Sequence, residues 1–417
     1  MGLPPSPSFT FKIPSIHDGT QLSCRLYIPR QLEQPETAAS WQKRGAIVAH
    51  PYAPLGGCYD DPVVSTVGEE LLESGYVVGT FNFRGAGDSD GKTSWTAKPE
   101  LADYVSFYGL MLCFLDGLKI GGSTSRIRES DPSGESSSGD VGKNQSEDSS
   151  ATFSIILCGY SYGSMIASHV PTVDVVLRLF QDASRDSFAA AIRSRADQCS
   201  AHCNNSVHTE FRPHTPDRTR PDSRPRSPLP VVLGQSPVSQ KERKVILEGV
   251  RRSLDRAKRK ISFSSRSSDV GSQERKTVVT EKPQIQIPRI SYLLVSPILP
   301  PISQFLTMFS KISLSSSVIS GTSAQDTSIP SAKAEEQLSA HPTLVIYGDN
   351  DNFTAADKVR MWCEGITKTT GSQIHAREIE AAGHFWHEQR AKAQMKATIR
   401  AWLGHLHHDN DNTAGSL

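Results

Sequence analysis

Ser161 stands in Gly159-Tyr160-Ser161-Tyr162-Gly163, between the apolar run FSIILCG (153–159) and the small residues Ser164-Met165-Ile166-Ala167-Ser168. A short run rich in β-branched residues reads as a buried strand, and the residues after the motif suit a helix. Strand, G-x-S-x-G, helix is the setting of a nucleophile elbow, a turn so sharp that the residues two before and two after the serine must be small. The turn presents the serine Oγ at the carboxyl end of a strand and frees the next backbone N–H to face a developing oxyanion. A hydroxyl is a poor nucleophile near neutral pH until a base removes its proton. That base in turn needs a carboxylate to fix its tautomer. With this elbow the acid and then the histidine follow the serine along the chain. Downstream, TLVIYG (343–348) predicts a strand ending in Asp349-Asn350-Asp351. Asp351 is the first candidate for the acid, Asp349 is its competitor, and both could instead cap the following turn. His384 follows Gly383 just ahead of the last predicted helix and is the candidate general base. His387 is the alternative, whereas His375 falls within a predicted strand and reads as structural.

An oxyanion hole needs two N–H donors, the Tyr162 N–H and one from the loop after the first central strand. That loop is HPYAPLGG (50–57). Pro51 has no N–H to give, so Tyr52 is the better donor, with Ala53 next; His50 orients the loop. A second Gly-rich loop, NFRGAGDS (82–89), lacks both G-x-G-x-x-G and the Walker lysine. It is expected to shape the pocket floor, with Arg84 pairing structurally.

The elements that must hold these groups alternate. An N-terminal hairpin is expected over 8–16 and 20–28 around Asp18-Gly19, then a buried strand at 46–49, a helix at 63–73 and a strand at 76–83. A helix over 101–118, the elbow strand at 154–158, strands at 290–295 and 343–347 and a closing helix over 389–405 follow. Strands separated by helices predict an α/β fold, a doubly wound and mostly parallel sheet covered on both faces. Catalytic groups of such sheets gather at the carboxyl ends of the strands.

Two segments interrupt the pattern. Residues 121–150 are rich in Ser, Gly and acidic residues and nearly devoid of apolar ones, a composition expected to stay disordered. A basic Ser/Pro-rich insert is expected over 183–286, largely disordered. Between Arg212 and Lys282 it carries 18 Lys/Arg against 8 Asp/Glu. Within it, 241–261 places Leu247, Val250, Leu254, Ala257 and Ile261 on one helical face with basic residues around them. Such a segment offers a peripheral membrane or calmodulin-like contact, and Lys258-Arg259-Lys260 a nuclear import signal; the plain alternative is a solvated insertion. The α/β core is then expected in three pieces, 1–120, 151–182 and 287–408, with a flexible loop about 312–338 and a disordered tail at 409–417.

Over the whole chain of 417 residues, 45 basic residues balance 44 acidic ones, which points to no nucleic-acid partner. No stretch reaches the ~18–20 apolar residues of a membrane span, and the N-terminus lacks a secretory signal. Seven scattered cysteines suggest no disulfide framework and fit a reducing, cytoplasmic compartment. Cys199 and Cys203, near His202 and His208, lack regular metal-ligand spacing.

Taken together, HPYAPLGG, FNFRGAGDSDG (81–91), GYSYG, YGDND (347–351) and GHFW (383–386) resemble, in that order, the α/β-hydrolase superfamily. They are most similar to small cytosolic serine hydrolases related to dienelactone hydrolases and serine aminopeptidases. The resemblance covers about 41–120, 151–180, 286–302 and 341–405. It implies Ser161, Asp351 and His384 as a catalytic triad acting on a small-molecule acyl substrate, an ester or thioester, with no metal or cofactor. The chain departs from the pattern in its two inserts, the second falling where many relatives carry a substrate-covering cap. A peptidase on the same residues would need acidic groups for the substrate ammonium, and no clear set is present. A binding or regulatory protein on the same scaffold is the third expectation, carried by the basic insert.

Overall fold

The computed structural model describes residues 2–4, 6–38, 40–119, 153–209, 231–232, 285–300, 302–306 and 334–414. Two units divide the chain, 1–231 with 285–417 and a smaller one, Val232–Gln284. All elements named here belong to the larger. The expected acidic loop at 121–150, the basic helix at 241–261 and most of the expected loop at 312–338 lie outside the described residues.

The eight strands longer than two residues are β1 (Phe9–Pro14), β2 (Gln21–Tyr27), β3 (Arg44–Ala49), β4 (Val77–Phe81), β5 (Ser154–Tyr160), β6 (Arg289–Val295), β7 (Thr343–Asn350) and β8 (Ile374–Gly383). They form one sheet in the order β1-β2-β4-β3-β5-β6-β7-β8. β2 runs antiparallel to β1 and β4, and every other pairing is parallel. The central strands are buried along almost their whole length, which is why RGAIVA, VVGTF and SIILCGY read as nearly unbroken apolar runs. β1, by contrast, alternates buried and half-buried residues. The β1–β2 turn is the expected one: Gly19 has φ of 79°, and Asp18 Oδ1 accepts from the Thr20 N–H at 3.0 Å.

Helices cover both faces. On one lie α1 (Pro62–Glu73) and the C-terminal α8 (Gln389–Ala414), sharing a core with Ala46, Val48, Val78, Ile156 and Ile346. α1 starts sharply because Pro62 occupies its first turn and Asp61 caps it, accepting from the Val63 N–H at 2.8 Å. Buried Glu70 of α1 pairs with Arg400 and, at 3.0 Å, with Lys396 of α8. On the other face α2 (Lys98–Gly117) packs between the sheet and α5 (Phe188–Thr209). α2 is buried nearly all round, as its apolar sequence on every face requires. The remaining described helices of seven residues or more are α3 (Tyr162–Ser168), α4 (Val173–Gln181), α6 (Ala334–Ala340) and α7 (Ala356–Thr367).

Three boundaries differ from the sequence expectation. The insert expected from 183 begins instead with a core helix, since α5 buries Ile192, Ala196 and Cys199. Its apolar stripe sets one large residue, Ile192, among small ones within a polar composition, so an averaged reading of the segment misses it. The expected loop about 312–338 ends within α6, where buried Gln337 accepts from the Tyr292 hydroxyl at 2.9 Å and donates to the Val170 carbonyl at 2.7 Å. The last helix runs through 409–414, where the sequence reading expects a disordered tail; it contains no Pro and continues past Gly404. All seven cysteines are free. Among the described residues no helix is long and apolar enough to cross a membrane.

Candidate active site

The site is assembled at the carboxyl edge of the parallel strands. Ser161 directly follows β5, with φ of 57° and ψ of −117°. A left-handed φ is costly for a residue with a Cβ and persists only where its surroundings enforce it. Here the flanking glycines do so. A Cβ on Gly159 would sit 2.2 Å from the carbonyl carbon of Gly163, and one on Gly163 would sit 2.5 Å from the Ala49 carbonyl oxygen. The strand and α3 therefore approach as closely as their backbones permit. The Ser161 N–H donates to the Val295 carbonyl at 2.9 Å, tying the elbow to the end of β6.

His384 follows β8, and Asp351 follows β7. Ser161 Oγ lies 2.8 Å from His384 Nε2, and His384 Nδ1 lies 2.7 Å from Asp351 Oδ2. A carboxylate can only accept, so Nδ1 carries the proton and Nε2 is left to accept from the serine hydroxyl. Asp351 is held from the other side, its Oδ1 accepting from the N–H groups of Phe353 at 2.8 Å and Thr354 at 3.1 Å. Ser161, His384 and Asp351 are all buried. The three side chains singled out by sequence thus form one hydrogen-bonded chain. Asp349 does not join it. That residue is exposed and lines a polar cleft with Asp351, Asp357, Arg360 and Glu378. His387 and His375 are exposed as well, the former stacked on Phe385 and the latter within β8.

The loop after β3 lies against the first turn of α3. The Tyr52 and Tyr162 rings are 5.1 Å apart, and the end of β3 is the backbone on which Gly163 packs. Within this loop the Tyr52 carbonyl accepts from the N–H groups of Leu55 at 3.1 Å and Gly57 at 3.2 Å. His50 fixes the loop from beneath: its Nδ1 donates to the Pro51 carbonyl at 2.6 Å and its Nε2 accepts from the Phe83 N–H at 2.9 Å. Burial lowers the His50 pKa to about 4, outweighing the opposing bond to Pro51. A neutral ring with one donor and one acceptor is what both bonds require.

Arg84, in the second Gly-rich loop, commits its guanidinium to two carboxylates and, at 3.1 Å, the Ser15 hydroxyl. It is bidentate on buried Asp103, through Nε at 2.9 Å and Nη2 at 2.7 Å, and also reaches Asp18 at 2.9 Å. This leaves it a brace between β4, α2 and the β1–β2 turn. Two aromatic residues at the site escaped the sequence reading. Tyr160 donates its hydroxyl to the His384 carbonyl at 2.8 Å, and Phe353 stacks on the His384 ring with centroids 4.2 Å apart. Their only signal in the sequence is adjacency, one residue before the serine and two after the aspartate.

Eight strands of more than two residues in one sheet, the second of them reversed, with a serine elbow after the fifth, are a specific arrangement. The fold is the α/β-hydrolase fold. No family model matches the chain, and no curated protein matches it. Among solved structures, the chain is similar to an α/β serine hydrolase homologue from Coxiella burnetii, at 13% identity over 94% of this chain and 95% of that one, with a TM-score of 0.40. A Xanthomonas campestris protein described as an α/β serine hydrolase without a lid matches at 13% identity over 97% and 98%, TM-score 0.40. An esterase from Pyrococcus furiosus matches at 12% identity over 95% and 91%, TM-score 0.41.

Proposed function

We propose that the protein is a serine hydrolase that cleaves a carboxylic ester or thioester through an acyl-enzyme intermediate. The observation that carries this reading is the continuous chain Ser161–His384–Asp351, at 2.8 Å and 2.7 Å, with its serine on a strained elbow. His384 Nε2 takes the Ser161 proton as Oγ attacks the carbonyl carbon. As the bond to the leaving oxygen or sulfur breaks, the same proton passes to the leaving atom. Water then enters, gives a proton to Nε2 and releases the acid, restoring the serine. Asp351 holds the Nδ1 tautomer and stabilises the imidazolium. The backbone N–H groups of Tyr162 and Tyr52 are the proposed donors to the oxyanion, an interaction typically contributing ~10²–10³-fold per donor.

The test is covalent labelling of the purified protein with a fluorophosphonate, which reacts only with an activated serine. Wild type should label and Ser161→Ala should not. Asp351→Asn should keep the fold but lower kcat about 10⁴-fold, through loss of the correct tautomer. A folded wild type that takes up no label overturns the proposal.

A further inference from the structure

The His384 imidazole sits among three aromatic rings with very different access to water. Phe353 stacks on it at 4.2 Å with planes 25° apart, and Phe385 stands edge-on at 5.5 Å and 89°. Tyr160 lies at 5.6 Å. Phe353 and Phe385 meet each other at a right angle, 5.8 Å and 88°. Tyr160 is buried, Phe353 is half-buried, and Phe385 is 54% exposed. The two phenyl rings therefore make an apolar corner that opens to solvent beside a base that does not.

The chemistry of the base determines what must pass that corner. A leaving atom takes its proton from His384 Nε2 and has to come within about 3 Å of it. The carbons attached to that atom then lie within the ~4–4.5 Å contact range of whichever rings flank the imidazole. Asp351 occupies the Nδ1 side, and Tyr160 is part of the buried core. The open flank is the one formed by Phe353 and Phe385. Resting on the ester or thioester hydrolase reading above, we propose that the Phe353–Phe385 corner is the leaving-group subsite. The substrates it selects are esters or thioesters whose alcohol or thiol part is apolar. Phe385, the exposed member, sets that preference.

Two substrate series test this. Acetates of straight-chain primary alcohols, ethyl to hexyl, lengthen the leaving group at nearly constant basicity. Ethyl esters from acetate to hexanoate lengthen the acyl group instead. In the wild type kcat/KM should rise about two- to fourfold per methylene along the alcohol series, the range between partial and full burial of each group. Phe385→Ser should reduce that slope to below ~1.5-fold while leaving the acyl slope in place, and Phe385→Leu should fall between. A thermal melt accompanies each variant; if Phe385→Ser fails to fold, the Phe385→Leu slope decides. An alcohol slope equal in wild type and variant overturns the subsite, as does a variant that flattens the acyl series instead. A wild type that neither labels with fluorophosphonate nor turns over ethyl acetate overturns the hydrolase reading itself. A flat alcohol series in a protein that labels and turns over overturns the subsite alone.

Discussion

Two aspartates two residues apart meet different fates at the end of β7. Asp349 is still in the strand and faces water, while Asp351 lies beyond it and turns under His384. The sequence puts Asp351 first and keeps Asp349 as its competitor, because the choice depends on where the strand lets go of its partner. The register between β7 and β8 shifts between Gly348 and Asn350, and that irregularity aims Asp351. His50 illustrates the reverse case, a residue whose surroundings fix its charge. Its folded pKa is about 4 against 6.5 for a free ring, so the folded state favours the neutral form. Its contribution to stability is complete above pH 6.5 and is lost as pH falls toward 4, where the unfolded chain binds a proton that the folded chain refuses. At pH 5 the loss from this one ring should be about 2 kcal/mol. Urea midpoints of wild type and His50→Gln at pH 7 and pH 5 check it. The wild type should lose more stability between the two values, and the variant, already destabilised by an orphaned Phe83 N–H, should show a shallower drop. Equal drops would mean that His50 is charged in the fold or reached by water.

Among elements, legibility in the sequence follows the continuity of the apolar signal. β3, β4, β5 and β6 are buried on both faces and stand out as unbroken runs. β8 is mostly exposed, with only Ile379 and Ala382 fully inside, and gives a far weaker signal. α5 hides its core stripe behind Ala, Cys and Ser. The elbow is the most legible element of all, because its geometry tolerates so few residues. That tolerance yields a prediction: Gly159→Ala places a methyl 2.2 Å from the Gly163 backbone, a contact that only a displaced α3 can relieve. The variant should lose fluorophosphonate labelling completely. In contrast Ser164→Ala, which removes only the hydroxyl that donates to the Ser161 carbonyl at 2.7 Å, should retain most of it. Destabilisation by the lost bond should be about 1 kcal/mol, read from thermal melts of the same samples. Labelling of Gly159→Ala at the wild-type level would show that the elbow can relax without displacing the serine.

At the scale of the whole molecule, the site draws its groups from strand ends that are far apart in sequence, Tyr52 from the first third and His384 from the last tenth. Both belong to the larger unit, as does every member of the Ser161–His384–Asp351 chain. The expectation that the insert begins at 183 would assign α5 and the 233–284 stretch the same role, and the structure separates them. α5 supplies Ile192, Ala196 and Cys199 to the core against α2 and β1, so it cannot be removed. Replacing 233–284 with a Gly/Ser linker of about 15 residues alters loop-closure entropy by only about 1 kcal/mol. That replaced chain should fold and label within about twofold of wild type, since every proposed group of the site lies in the larger unit. Ile192→Asp, which buries an unpaired carboxylate at a position with no solvent access, should cost several kcal/mol and yield little folded protein. Labelling and melting of the two variants side by side distinguish the roles. If the linker variant folds but loses label, residues 233–284 contribute to the site and the larger unit is not self-sufficient. If Ile192→Asp folds and labels normally, α5 belongs to the insert after all.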